Sequence, residues 1–284
     1  MDGLSNIPHL GSGLGFRREL KQETIEAREA IDFLEIITDG FIGDDSDRDT
    51  LEEICDHFPV IPHGIGLSVG SVDGVDEAYL RAIREVSELT GSPFYSEHLC
   101  QTRAPGIDIG HLSPLWFSEK VLRATIDNVH KVQDTLGKPL VLENVSYLFD
   151  IPNPEMAQTE FFNRLVDTTG CGILLDVTNI FVNVLNHGID AMAFMDAMPL
   201  ERVVQVHLAG GLWSGDTFLD SHTRPVQEES WELLEALLKR TAIKGVILEH
   251  DAHYPDAFSV LTDQVARARA LMNRSMPRSE CVVP

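Results

Sequence analysis

Short apolar runs alternate with amphipathic stretches along nearly the whole chain. Runs such as IDFLEII (31–37), PFYSEHL (93–99) and CGILLDV (171–177) are mainly apolar, as in strands of a parallel sheet that is covered on both faces. The stretches between them, such as VDEAYLRAIREVSELTG, place apolar residues at helical spacing and often end on glycine. Counting a short first run at LGF (14–16), the pattern predicts eight strands that alternate with eight helical stretches.

This alternation predicts an α/β fold, a (β/α)8 TIM barrel that forms a single domain. We expect the barrel domain at residues 13–274, an N-terminal tail at 1–12 and a C-terminal tail at 275–284. An open, doubly wound sheet is disfavoured because no GxGxxG follows the first strand; GSGLGF precedes it. Helix is predicted near 18–30 and from about 115 to 136. The segments CQTRAPGIDIGHLSP, TNIFVNVLNHG and GGLWSGDTFLDSHTRPV are interpreted as loops.

Six apolar runs carry a possible metal ligand at or near their ends: His63, His98, Glu143, Asp176, His207 and Glu249. The active site of a TIM barrel lies at the C-terminal ends of its strands. Residues two apart on a strand face the same way, so Val141 in the barrel interior would turn Glu143 into the mouth. Carboxylates and imidazoles buried together are costly unless a cation lies among them. The six strand ends therefore predict a metal cluster.

Two metal sites that share Glu143 as a bridge account for these six residues. The first would comprise His63, His98 and Glu143. The second would comprise Glu143, Asp176, His207 and Glu249. A third site is predicted just beyond the strand ends, from Asn179, Asp220 and His222. Mixed imidazole and carboxylate ligands suit zinc, iron or manganese. His187, in the NHG turn, is a further candidate to line the site.

Composition limits the partners. The chain has 22 Lys and Arg against 45 Asp and Glu, a net charge of −23, which repels polyanions and suits cations or a basic peptide. Nucleic acid is therefore not an expected partner. No apolar stretch approaches the roughly 20 residues that span a bilayer, and the first residues do not resemble a secretory signal, so we expect no membrane association and a cytoplasmic location. The four scattered cysteines predict no disulfide framework.

Several motifs also carry a family resemblance. In order, GIGLSVGS, SEHL, LENVSYL, LLDVTNIFVNVLNHG, VVQVHLAGG, DSH and LEHD resemble the multinuclear non-heme iron-dependent oxidases, from about Gly13 to Asp256. The resemblance implies a TIM barrel that binds two or three iron ions, Fe(II) or Fe(III), with the nine residues above as ligands. It implies O2 as co-substrate, a ribosomally synthesised precursor peptide as substrate, commonly modified at cysteine, and a small partner protein that presents the peptide leader. Asp251, two residues after Glu249, is a candidate base.

The sequence departs from the family pattern at Gly211, Thr178 and His250, where histidine, asparagine and tryptophan are common. These changes leave the substrate open. Three alternatives also remain open. A zinc-dependent endonuclease of the same barrel class would have histidine in place of Asn179 and would be opposed by the charge. A sugar isomerase would leave His63, His98 and the DSH loop without a role. A non-catalytic metal-binding subunit is the third alternative.

Overall fold

Eight parallel strands close into a barrel in a computed structural model of the chain, which describes residues 3–43, 45–104 and 106–275. The barrel strands are β1 (Gly11–Gly15), β2 (Leu34–Ile37), β3 (Val60–Gly64), β4 (Tyr95–His98), β7 (Leu140–Glu143), β8 (Gly172–Asp176), β9 (Val203–Leu208) and β12 (Gly245–Leu248). They follow one another around the barrel in chain order, and β1 pairs with β12 to close it. The predicted TIM barrel is confirmed.

Helices surround the barrel and bury one face each against it. They are α1 (Lys21–Glu26), α2 (Asp45–Cys55), α3 (Glu77–Thr90), α4 (Glu119–Leu136), α5 (Gln158–Thr169), α6 (Val177–His187), α7 (Ala191–Ala197), α8 (Glu228–Leu238) and α9 (Ser259–Ser275). In α3, Leu80, Ile83 and Val86 are buried at helical spacing. Asp76 caps its N-terminus, and Gly91, with a φ of 61°, ends it.

The glycine-rich segment GSGLG is itself the first strand, so the prediction that it precedes the strand is wrong. Glycine is required there by close packing rather than by a phosphate. A Cβ on Gly13 would lie 2.5 Å from the carbonyl oxygen of Phe33 on the neighbouring chain segment. Gly11 and Gly13 therefore let this strand approach its neighbours where larger residues would not fit.

Three segments predicted as loops contain regular structure. The first forms the hairpin of β5 (Gln101–Ala104) and β6 (Ile107–Ser113), and the third forms that of β10 (Leu212–Ser214) and β11 (Thr217–Leu219). TNIFVNVLNHG forms α6, which the Asp176 side chain caps by accepting a hydrogen bond from the Asn179 N–H at 2.8 Å. Its asparagine and β-branched residues have low helix propensity, so the cap and the burial of Ile180 and Phe181 stabilise it.

Two predicted helices are shorter than expected. The stretch 18–30 holds α1 between 3-10 turns at Arg18–Leu20 and Arg28–Ala30. The helix predicted from about 115 begins at Glu119, because Ser118 is extended and accepts a hydrogen bond from Val121 N–H as its cap.

Side chains of alternate strand residues fill the barrel interior below the mouth. Val141, Leu174 and Ile247 belong to one buried cluster with residues of other strands, as the strand period of two predicts. Leu4 and Ile7, which precede β1, join this cluster and close the bottom of the barrel. The predicted C-terminal tail at 275–284 lies, apart from its first residue, outside the described residues. Within the described part of the chain, no helix has the length and apolarity to cross a bilayer.

Candidate metal centre

Glu143 ends β7 and lies among histidines from three other strands. Its Oε2 is 3.2 Å from His63 Nε2 and 3.4 Å from His98 Nε2, and its Oε1 is 3.6 Å from His207 Nδ1. The carboxylate is buried, with 2% of the side chain exposed. The structure thus brings together the residues of the first predicted site, and places a second group of possible ligands on the other oxygen of the same carboxylate.

Asp176, His207 and Glu249 form the second group around Glu143. His207 Nδ1 lies 3.1 Å from Glu249 Oε2. Possible ligand atoms of Glu143, Asp176 and His207 lie within 4.8 Å of one another, as do those of His63, His98 and Glu143. Glu143 belongs to both groups, as expected for a carboxylate that bridges two ions.

The residues of the third predicted site lie at the outer edge of these two groups. Asp220 Oδ1 is 2.8 Å from His222 Nε2, and His222 Nδ1 is 3.9 Å from Glu249 Oε2. The amide nitrogen of Asn179 donates to Glu143 Oε1 at 3.4 Å, so Asn179 adjoins the bridging carboxylate. All nine predicted ligands therefore lie in one cluster at the barrel mouth.

Six polar atoms in this cluster are buried without a hydrogen-bond partner. They are Glu143 Oε2, Asp176 Oδ2, Asn179 Oδ1, His207 Nδ1, Asp220 Oδ1 and His222 Nε2. A buried polar atom without a partner costs about 1–3 kcal/mol. The last two atoms are only 2.8 Å apart, a separation suited to two ligands of one ion. Divalent metal ions would satisfy these atoms, so the donor set fits a multinuclear site.

The two histidines of the first group are oriented by their far nitrogens. His98 Nδ1 lies 2.9 Å from the Gly64 carbonyl oxygen, to which it can donate, so its Nε2 faces Glu143 and would be the atom that binds a metal. His63 Nδ1 lies 3.0 Å from Ser96 Oγ, with Nε2 again toward the cluster. Partners of this kind fix the tautomer and the ring orientation of metal-binding histidines.

Glu35 orients His207 and was missed by the sequence analysis. It lies in β2 with 2% of its side chain exposed, and its Oε1 is 2.8 Å from His207 Nε2. The amide of Gln205 donates to the same carboxylate, so its charge is held in place. This pairing leaves His207 Nδ1 for a metal. The sequence feature that could have revealed Glu35 is a carboxylate in the middle of the apolar run IDFLEII. A residue at that position faces the barrel interior and would be apolar unless it had a polar partner there.

Asp251 holds His222 and is itself held by Arg17. Its Oδ2 lies 3.0 Å from His222 Nδ1, and its Oδ1 accepts a hydrogen bond from Arg17 Nε at 3.0 Å. Burial alone would raise the pKa of Asp251, but the hydrogen bond and charge of His222 and the charge of Arg17 lower it. His222 also has a φ of 51°, which residues other than glycine rarely adopt, and the Asp251 N–H donates to its carbonyl at 2.7 Å.

Burial and the neighbouring charges strongly shift the pKa values of residues in this cluster. Burial raises the pKa of Asp176 well above its usual range, and the charges of Glu143 and Asp220 add to this effect. Burial would lower the pKa of His98, but the charge of Glu143 raises it to about 9. The carboxylates of this cluster therefore require positive charge nearby, which protonated histidines or metal ions can provide.

Comparison with solved structures shows the same fold at low sequence identity. L-ribulose 3-epimerase matches with a TM-score of 0.59 and 14% identity, over 98% of this chain and 97% of that chain. D-psicose 3-epimerase from Clostridium cellulolyticum H10 matches with a TM-score of 0.58 and 11% identity, over 95% and 98%. At these identities the likeness concerns the barrel fold alone.

Comparison with protein families and curated relatives gives a closer match. UPF0276 proteins from Rhizorhabdus wittichii and Caulobacter vibrioides are 36% and 34% identical over 272 and 265 residues. The alignments cover 94% and 92% of this chain and 96% and 95% of the relatives. A family model described as "RiPP precursor modification enzyme MbnB/TglH/ChrH" matches residues 11–273. The family predicted from the motifs is thereby confirmed, and the chain belongs to the MbnB/TglH/ChrH family of RiPP precursor modification enzymes.

Proposed function

We propose that this chain is an iron- and O2-dependent oxidase that modifies a ribosomally synthesised precursor peptide, at a cysteine. The observation that carries this proposal is a cluster of six buried ligand atoms without a hydrogen-bond partner, at and near Glu143. Family membership supports a precursor peptide as substrate. The mixed imidazole and carboxylate donors suit iron among the transition metals, although zinc accepts similar ligands.

Three ions would be held by residues in the described cluster. The first ion would be bound by His63, His98 and Glu143. The second would be bound by Glu143, Asp176, His207 and Glu249. The third would be bound by Asn179, Asp220 and His222. Bound iron would supply electron transfer between the peptide and O2. The chain would contribute the fixed positions of the ligands, with Glu35 orienting His207 and Asp251 orienting His222.

The partners follow from charge and family membership. A net charge of −23 favours a substrate with neutral or basic residues next to the modified position. A small partner protein is proposed to bind the peptide leader and to present the core of the peptide to the barrel mouth. A cytoplasmic location, as predicted from the sequence, would place the chain with peptides newly released from ribosomes.

Iron quantification and oxygen uptake test the proposed function. Protein purified anaerobically should contain two or three iron ions per chain and should consume O2 only when a precursor peptide encoded beside its gene is added. The expected product is an oxidised peptide, measured as a mass change by mass spectrometry. Zinc-loaded protein that cleaves DNA or isomerises a ketose without O2 would contradict the proposal in favour of a hydrolase or sugar isomerase.

Substitution of Asp251 distinguishes an orienting residue from the base predicted from sequence. If Asp251 orients His222, Asp251→Asn should lower iron content by about one ion per chain, because the charged carboxylate beside His222 Nδ1 is replaced by a neutral amide, which is a weaker acceptor. Arg17→Met should have the same effect through Asp251, whereas Arg18→Met, on an exposed neighbour that pairs with Asp47, should have none. Asp251→Asn protein with full iron content and no turnover would instead support the base role.

A further inference from the structure

One face of α6 connects the metal centre to the segment that follows β7. Asn179, Asn183 and His187 are four residues apart, so they share this face of the helix. Asn183 Nδ2 donates to the Val145 carbonyl at 3.2 Å, and Asn183 Oδ1 accepts from the Tyr147 N–H at 3.2 Å. The residue four positions after a proposed ligand thus holds the backbone just beyond Glu143.

His187 fixes the next part of the same segment. Its ring stacks on that of Tyr147 with centroids 4.1 Å apart and planes at 28°. His187 Nε2 lies 2.7 Å from the Tyr147 carbonyl oxygen, and His187 Nδ1 lies 3.6 Å from Asp150 Oδ1. The segment from 145 to 150 is therefore held at several points, although it is a loop at the barrel mouth.

This segment forms one wall of a pocket of about 180 Å³. Leu99, Leu115 and Phe117, from the chain between β4 and α4, line the same pocket. Leu99 directly follows the proposed ligand His98, and its N–H donates to the Glu143 carbonyl at 2.9 Å. The pocket therefore adjoins the backbone of two residues of the metal centre.

The lining of the pocket is mainly apolar. Asp150 is the charged residue of the described lining, which otherwise consists mainly of aliphatic, aromatic and proline residues. Phe149, which lines the pocket, is 54% exposed, and Leu148 and Trp116, next in sequence to the lining residues Phe149 and Phe117, are 55% and 51% exposed. Such exposed apolar groups often mark a binding surface. The volume is below the roughly 300–1,000 Å³ of pockets for drug-sized ligands, so it suits a single side chain.

We propose that this pocket binds an apolar or aromatic side chain of the precursor peptide, near the residue that is modified, and so sets which residue reaches the metal centre. The proposal rests on the proposed peptide-modifying function. A peptide side chain fits the observations because the pocket is the size of one residue, adjoins the strands that carry the proposed ligands and is lined in part by the exposed ring of Phe149. Asp150 and the negative charge of the chain favour a basic rather than an acidic neighbour.

Binding of capped amino acids tests the pocket without turnover. N-acetyl-L-phenylalanine methylamide should bind metal-loaded protein saturably in saturation-transfer NMR, and the glutamate analogue should bind at least tenfold more weakly. Ala157 lines the pocket and is exposed at the start of α5, so Ala157→Trp can fill the pocket without disturbing the core. This variant should bind the phenylalanine probe at least tenfold more weakly.

Ala82→Trp provides the matched control, because Ala82 lines a separate pocket between α2 and α3. It should leave probe affinity within twofold of the unmodified protein, and all three proteins should contain the same amount of metal. Unchanged affinity in Ala157→Trp, equal binding of the glutamate probe, or no binding to the unmodified protein would each overturn the proposal. Since the probe is measured without O2 or turnover, these outcomes are independent of whether the metal centre oxidises a peptide.

Discussion

Replacement of Glu143 by alanine is expected to abolish iron binding at both inner sites and to reduce peptide oxidation to background. The two oxygens of this carboxylate face different groups of ligands, His63 and His98 on one side and His207 on the other. In the proposed centre, its loss would therefore remove an anionic ligand from two ions at once. It also leaves His63 and His98 without the carboxylate that both of their Nε2 atoms face, whereas His207 keeps Glu35 and Glu249.

Iron content per chain, measured with turnover, tests this expectation. Iron should fall from two or three ions to at most one in Glu143→Ala, and Glu143→Gln should behave similarly because the amide keeps the volume but loses the charge. Glu160→Ala, on the exposed surface of α5, serves as control and should keep both properties. Circular dichroism should show that each variant is folded. Glu143→Ala protein that kept full iron content and oxidised the peptide would show that the bridging role is wrong.

The barrel and the cluster were predictable because both depend on local periodicity. Successive side chains of a strand point to opposite faces, so a strand that places Val141 in the barrel interior also turns Glu143 inward. The C-terminal ends of parallel strands all lie at the same rim of the barrel. Histidine and carboxylate residues at successive strand ends could therefore be placed together without knowledge of the distances between them.

The residues that orient the ligands could not be predicted in this way. Arg17 and Asp251 are 234 positions apart and meet only because β1 and β12 close the barrel. Glu35 lies within an apolar strand. The alternation of side chains along the strand predicts that this carboxylate faces the interior, but it does not show which residue the carboxylate contacts there. Helix α6 was missed because its stability depends on the Asp176 cap and on burial, rather than on the propensity of its residues.

Removal of metal is expected to lower the melting temperature of the protein by about 10 °C. If the folded cluster binds metal ions and the unfolded chain does not, a metal present at 1,000 times its dissociation constant would stabilise the fold by about 4 kcal/mol. For a domain of this size, each kcal/mol corresponds to about 2–4 °C in melting temperature.

Differential scanning calorimetry of iron-loaded and chelated protein measures this effect. The same chelation should change the melting temperature of Glu143→Ala by less than about 3 °C, because that variant should bind at most one ion. Equal melting temperatures for loaded and chelated wild-type protein would mean that the six unpartnered atoms are satisfied without metal, and would contradict the assignment of this cluster as a metal centre. A shift in wild type that persists in Glu143→Ala would instead place the stabilising ion away from the bridging carboxylate.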